Sequence, residues 1–97
     1  MRHFFRTHLT PAAVIKAADA FFPELQLASS AAGARVRTFG GTLGKLTLSA
    51  KPEGGHYTFV EVETDQMGES RLDRNVKRFF NTLHRIEEPR HLIEAAY

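Results

Sequence analysis

The residues best suited to chemistry in this chain are four arginines in its C-terminal third. At 100° per residue they fall within about 60° of one another on a helical wheel, and at 1.5 Å per residue they extend over roughly 21 Å. Arginine makes bidentate contacts with phosphates and carboxylates. The spacing therefore predicts a nucleic-acid contact, a contact with an acidic partner, or a solvated helix face. We name this set the arginine file: Arg71, Arg74, Arg78 and Arg85.

Little in the surrounding sequence offsets the charge of the arginine file. Between residues 71 and 86 the only acidic residue is Asp73, which is placed to pair with Lys77 four residues further on. The acidic residues are concentrated upstream, where residues 41–69 contain five acids and two bases. This acidic run is typical of a solvated strand end, since its spacing does not match a calcium-binding loop.

No other pattern assembles the groups that catalysis or metal binding requires. The chain has no cysteine, and its serines lack a glycine elbow or a recognisable set of partners. The stretch from Gly40 to Lys45 lacks the spacing of a phosphate-binding loop and is better explained as a hairpin. The sequence predicts a non-catalytic protein without a metal or organic cofactor. None of its histidines pairs with another at i and i+4: His3, His8, His56, His84 and His91.

Two helices are predicted to flank the strands of the chain. The first spans residues 12–22, because Thr10 can cap it, Pro11 suits its first turn and Pro23 ends it. The second begins after Ser70 and ends at residue 88, and the arginine file lies opposite its apolar stripe. Residues 1–9 form either a short strand or an irregular arm, and residues 90–97 form a C-terminal tail.

Between the helices the apolar period changes to two, which predicts strands over residues 24–30, 34–39, 43–51 and 56–64. A hairpin loop of residues 53–55 places Leu48 opposite Val60, and a loop of residues 40–42 places Val36 opposite Leu46. The predicted fold is a single two-layer α+β domain, an antiparallel sheet of three to five strands with both helices on one face. Its expected core is Val14, Phe21, Leu25, Val36, Leu46, Leu48, Val60, Val62, Val76, Phe79, Leu83 and Ile86.

The uncovered face of this sheet is predicted to mix aromatic and basic side chains, with Lys45 between Arg37 and Glu63. Acidic residues on the same strand as the aromatics disfavour nucleic-acid stacking there, so this face is expected to contact protein. The tail residues Leu92, Ile93 and Tyr97 form a second candidate contact. The candidate sheet-face contacts are Arg35, Arg37, Phe39, Leu43, Lys45, Tyr57 and Phe59.

The composition is that of an ordinary globular domain, with 42% apolar and 25% charged residues and a net charge of +2. This small charge gives no strong long-range field, so recognition of nucleic acid would need a local patch. No apolar run is long enough to span a bilayer, which predicts no membrane insertion. The lack of cysteine agrees with a reducing compartment, and we expect a cytoplasmic protein.

The order of elements is similar to two known arrangements. Helix, antiparallel sheet and helix resemble a double-stranded-RNA-binding domain, although Glu69-Ser70-Arg71-Leu72-Asp73 replaces the basic entry to its last helix. An N-terminal strand and a long closing helix resemble a reduced helix-grip domain, which implies a small apolar ligand. We expect a protein-interaction domain or accessory subunit that binds a protein partner or a second copy of itself. Nucleic-acid binding through the arginine file and apolar-ligand binding are the alternatives.

Overall fold

Five strands and two α-helices follow one another in a computed structural model that describes residues 1–88, apart from the side chains of residues 31 and 32. The tail, with Leu92, Ile93 and Tyr97, lies outside the described residues. The elements are β1 (Arg2–Thr7), α1 (Pro11–Phe21), a 3-10 helix (Phe22–Leu25), β2 (Ala28–Ala32), β3 (Val36–Gly41), β4 (Gly44–Glu53), β5 (Tyr57–Thr64) and α2 (Arg71–Glu87).

The strands form one antiparallel sheet in the order β1-β5-β4-β3-β2. Residues 2–7 are therefore a strand rather than an irregular arm, and β1 pairs with β5. Helix α1 lies over β4, and α2 lies over β1 and β5 beside α1. This arrangement confirms the predicted two-layer α+β fold, in which one face of the sheet is covered by helices and the other is open. Within residues 1–88, no helix has the length and apolar character needed to cross a membrane.

The first helix begins and ends for the reasons that its sequence indicates. The Thr10 hydroxyl accepts a hydrogen bond from the backbone N–H of Ala13 at 3.1 Å, and Pro11 is the first helical residue. The chain then tightens into the 3-10 helix that contains Pro23. The predicted strand over residues 24–30 is wrong at its start, because Leu25 still belongs to this helix and β2 begins at Ala28.

The pairing register of the hairpin between β4 and β5 differs from the predicted register by two residues. Leu48 pairs with Val62 instead of Val60, because the loop comprises residues 54–56. Side chains alternate between the two faces of a strand, so a shift of two residues changes the partners but not the face. Leu46, Leu48, Val60 and Val62 are therefore buried as expected.

The pairing register of the hairpin between β3 and β4 differs from the predicted register by three residues. Because this shift is an odd number, it exchanges the two faces of β3. Gly41 pairs with Gly44 across a two-residue turn, so Phe39 lies opposite Leu46 and Val36 lies opposite Ser49. The prediction that placed Val36 in the core and Phe39 on the open face is wrong for both residues. Phe39 is fully buried, and Val36 is 41% exposed.

Three phenylalanines from different elements form the centre of the core. The ring of Phe22 lies 5.1 Å from that of Phe39 and 5.0 Å from that of Phe79, measured between centroids. Of the predicted core, Phe21 and Leu25 are half-buried and Ile86 is 49% exposed, because these residues border a groove between the helices. Buried apolar residues outside the prediction are Ile15, Ala18, Phe22, Leu27, Phe39, Ala50 and Leu72.

Candidate functional site

The start of α2 is held by reciprocal hydrogen bonds between Ser70 and Asp73. The Ser70 hydroxyl accepts from the backbone N–H of Asp73 at 3.0 Å and donates to the Asp73 carboxylate at 2.7 Å. The backbone N–H of Gly68 donates to the same carboxylate at 3.1 Å. This arrangement resembles a capping box, with Ser70 as the N-cap of α2, and it agrees with the predicted start of the helix after Ser70.

The Asp73 carboxylate also joins α2 to the sheet. His3 Nε2 and the Thr64 hydroxyl each lie 2.8 Å from Asp73 Oδ1. Burial raises the pKa of Asp73, but hydrogen bonds from His3, Ser70 and Thr64 outweigh it and lower the pKa to about 2. An ionised carboxylate only accepts hydrogen bonds, so Nε2 of His3 carries the hydrogen.

This buried network has a structural role and corrects one prediction. Asp73 does not pair with Lys77, whose Nζ lies 4.0 Å from the Glu69 carboxylate instead. Asp73 is fully buried, and His3 is 8% exposed. The network fixes the rotation of α2 about its axis, because Asp73 must face the sheet. The arginine file then faces away from the core.

All four arginines of the file are exposed on the outer side of α2. Arg78 donates to the side-chain oxygen of Asn75 at 2.8 Å, and its guanidinium lies 5.6 Å from the centroid of the Phe21 ring. No carboxylate within residues 1–88 forms an ion pair with any member of the file. The described part of the chain therefore supplies no carboxylate that pairs with this row of cations.

A largely apolar groove of about 360 Å³ lies between α1 and α2 on the outside of the helical layer. One wall comes from α1 and the other from α2, and both are held by the packing of each helix on the sheet. Its position explains why Ile86 is outside the core, since that side chain lines the groove. The residues that line it are Ala17, Ala20, Phe21, Glu24, Leu25, Arg78, Thr82 and Ile86.

A second groove of about 510 Å³ continues from the first and is mainly polar. The two share Glu24, Leu25 and Arg78, so they form one channel along α2. We name it the α1–α2 groove. It follows α2 from Arg71 to Ile86, a length of about 22 Å at 1.5 Å per residue. The residues that line the polar part are Glu24, Leu25, Gln26, Thr42, Leu43, Arg71, Asn75 and Arg78.

The predicted sheet-face contacts do not form one surface. Only Lys45, Tyr57 and Phe59 lie on the open face, as the strand alternation places them. Arg37 is on the covered face, where its Nε lies 3.0 Å from the Asp19 carboxylate of α1. Lys45 therefore does not lie between Arg37 and Glu63. It pairs with Gly40, and Thr47 lies opposite Glu63.

The remaining members of that set are also dispersed. Phe39 is in the core, Leu43 packs against the core from the β3–β4 turn, and Arg35 is exposed at the β2–β3 connection. Their separation follows from the shifted register of β3, which exchanges the faces of that strand.

The open face contains two functional candidates that the sequence prediction missed. Phe4 stacks on Phe59 with 5.5 Å between ring centroids, and the Arg6 guanidinium lies 5.2 Å from the Phe59 ring. The alternation of His3, Phe5 and Thr7 with Arg2, Phe4 and Arg6 is the signal that would have found them. It requires residues 2–7 to be assigned as a strand.

The described residues offer no clear site for a metal ion. Among residues 1–88, no group of three or more His, Asp or Glu side chains is arranged to hold one. The layer between sheet and helices, where a helix-grip domain would hold an apolar ligand, is occupied by the rings of Phe22, Phe39 and Phe79. The apolar groove lies between the helices instead.

In comparisons with known proteins, no protein-family model and no curated protein matches this chain. The chemistry of the α1–α2 groove and of the open sheet face is therefore the basis for a functional hypothesis.

Proposed function

We propose that this chain is a non-catalytic protein-interaction domain whose α1–α2 groove binds an acidic amphipathic helix of a partner protein. The observation that supports this proposal is the continuity of an apolar groove with a polar one beside the arginine file. Amphipathic helices bind in this way when their apolar side chains enter a groove and their polar side chains meet its rim.

The apolar half of the groove supplies the anchor sites. Ile86 is 49% exposed, and Phe21 and Leu25 are half-buried, so all three can lose further surface when a partner binds. Each square ångström of apolar surface removed from water contributes about 25 cal/mol. A partner helix with large apolar side chains at i, i+4 and i+7 would place them along this wall.

The arginine file supplies the charge selectivity. Arg71 and Arg78 are the two members that line the groove, and they lie about two turns apart on α2, so a helix lying along the groove can meet both with carboxylates on its own turns. Arg78 lines both parts of the groove and lies at their junction. Among residues 1–88, Glu24 is the one carboxylate that lines either part, against the two arginines Arg71 and Arg78.

Nucleic-acid binding is the second candidate, and the absence of ion pairs to the file within residues 1–88 is the observation that favours it. A phosphate backbone could follow four arginines over this length. It would leave the apolar wall with Phe21 and Ile86 unused. For this reason the acidic helix is the better match to the whole groove.

A designed peptide tests the proposal directly. We would titrate the full chain into a fluorescein-labelled helical peptide of about 16 residues, with leucines on one face and glutamates elsewhere, and follow fluorescence anisotropy. We expect a dissociation constant in the micromolar range. A peptide with lysine in place of glutamate should not bind, and a peptide of equal composition with its leucines dispersed should bind at least about tenfold more weakly.

Variants of the chain then locate the binding surface. Arg78→Ala and Ile86→Asp should each weaken binding of the acidic peptide by about tenfold, which is about 1.4 kcal/mol. Arg35→Ala is the matched control, because it removes the same charge at the β2–β3 connection and should leave affinity unchanged. Equal losses in Arg78→Ala and Arg35→Ala would reject the groove as the site.

A further inference from the structure

The open face of the sheet exposes more apolar surface than a solvated face requires. Phe4 is 53% exposed, Tyr57 is 46% exposed and Val36 is 41% exposed. They account for three of the six large apolar side chains that are exposed among the described residues. Phe59 lies two residues from Tyr57 on the same side of β5 and stacks on Phe4, whereas Val36 lies apart from these three on β3, opposite Ser49. An apolar cluster of this kind, surrounded by charged residues, is typical of a protein contact.

The charges around this cluster have both signs. Arg2 lies 3.9 Å from the Glu63 carboxylate, and Arg6 lies 3.4 Å from that of Glu53. These cross-strand pairs lie towards opposite ends of β5, because Glu63 is at one end and Glu53 pairs with Tyr57 at the other. The face as a whole is therefore nearly neutral. It is unsuited to a strongly charged partner such as nucleic acid.

Two opposite charges near the middle of the face are left without an ion pair among residues 1–88. Lys51 on β4 pairs in register with Phe59, and Glu61 on β5 pairs with Ser49, so the two occupy diagonal positions on adjacent strands. Neither forms an ion pair with the other or with any other described residue. Both are placed to meet a charge from outside the chain.

We propose that the open face packs against the same face of a second copy of this chain, forming a two-fold symmetric dimer. A two-fold axis in the plane of the interface, midway between Lys51 and Glu61, places Lys51 of each copy beside Glu61 of the other copy. An isologous interface requires such self-complementarity, because every contact occurs twice. The same operation brings the Phe4 and Phe59 clusters of the two copies into one apolar layer.

The size of the face predicts the strength of the dimer. Five strands spaced about 4.8 Å apart, each with about six residues rising 3.3 Å, span about 24 by 20 Å. Two copies would then bury about 1,000 Å² in total, at the lower limit of specific interfaces. We expect association in the micromolar range. The dimer leaves the α1–α2 groove accessible on the outside, so this inference does not depend on the proposed function.

Sedimentation equilibrium of the full chain, over about 10 to 500 µM, tests the dimer together with charge-reversal variants. Wild-type chain should dimerise. Lys51→Glu and Glu61→Lys should each weaken dimerisation by about tenfold or more. In either variant, position 51 of each copy faces a like charge at position 61 of the other copy, so the repulsion occurs twice. An equimolar mixture of the two variants should form heterodimers, because each charge of one then faces its opposite in the other.

The mixture distinguishes contacts between copies from effects within one chain. If the substitutions merely disturbed the sheet, mixing two weakened variants would restore nothing. Phe4→Ser is a further variant, in an edge strand, that should abolish association while circular dichroism shows an unchanged fold. A wild-type chain that is monomeric at every concentration would overturn the proposal. Single variants that dimerise as well as wild type, or a mixture that associates no better than its components, would also overturn it.

Discussion

The two faces of the sheet differ in how far their side chains are buried and in what those side chains contact. On the covered face, Phe39 is fully buried, and the polar groups of His3 and Thr64 both bind the carboxylate of Asp73. On the open face, Phe4 stacks on Phe59, but both remain accessible to solvent. The comparison indicates that the covered face stabilises the fold, whereas the open face and the outer side of α2 are available for binding.

The largest expected effect is in the centre of the covered face. Phe79→Ala should lower the free energy of unfolding by about 3 to 5 kcal/mol, because the cavity would lie beside the buried ring of Phe22 and the half-buried ring of Phe21. Phe4→Ala on the open face is the matched control and should cost less than about 1 kcal/mol. Urea melts of both variants measure the difference. A loss below about 1 kcal/mol for Phe79→Ala would contradict the packing of α2 on the sheet.

Removal of the buried carboxylate should have the next largest effect. Asp73→Ala should destabilise the fold by about 3 kcal/mol, because His3, Thr64 and Ser70 would lose their shared acceptor. Glu63→Ala removes an exposed carboxylate from the open face and should change stability by about 0.5 kcal/mol or less. Similar melting curves for the two variants would show that the network adds nothing to the fold.

The same carboxylate makes stability depend on pH in the acid range. Its pKa is about 2 in the folded chain and 3.8 ordinarily, so the ionised form favours folding. This contribution should be fully present above about pH 4 and should be lost as the pH falls through 2. Urea melts between pH 7 and pH 2 would follow it. The Asp73→Asn variant should lack the contribution of Asp73 to the pH dependence of the free energy of unfolding. If the pH dependence is unchanged in that variant, it must come from other groups.

The smallest effect on stability is expected on the outer side of α2. Replacement of both Arg74 and Arg78 by alanine should change the free energy of unfolding by less than about 1 kcal/mol, since both are exposed. The same double variant separates the two candidate ligands. If the file binds duplex DNA, log affinity should fall with log salt at a slope near −3 to −4, and the double variant should reduce that slope by about two. No binding to DNA at tens of micromolar protein would exclude that alternative.

Local patterns predicted most of the architecture because their physical causes are local. Thr10 with Pro11, and Ser70 with the apolar stripe after it, specify two helix starts through capping and periodicity. The strand registers depend on the exact length of each turn, which a pair of glycines does not determine. Gly40 and Gly41 suggested a turn at their own position, but the turn is formed by Thr42 and Leu43.

The candidate site was predicted only in part. Helical spacing alone placed Arg71 and Arg78 on one exposed face, and the structure places both beside the α1–α2 groove. The groove itself depends on how α1 and α2 pack side by side, and no local pattern encodes that distance. The partnership of Asp73 with His3 was missed for the same reason, since 70 residues separate them in the chain.

The most direct test of the central claim is a map of where an acidic amphipathic peptide contacts the chain. We would add the glutamate- and leucine-rich peptide to ¹⁵N-labelled full chain and follow the backbone amide resonances. We predict that shifts concentrate on α1, the 3-10 helix and α2, around Phe21, Leu25 and Arg78, and spare Thr47 and Lys51 on the open face. Shifts centred on the open face, or none at millimolar peptide, would contradict the assignment of the α1–α2 groove as the binding site.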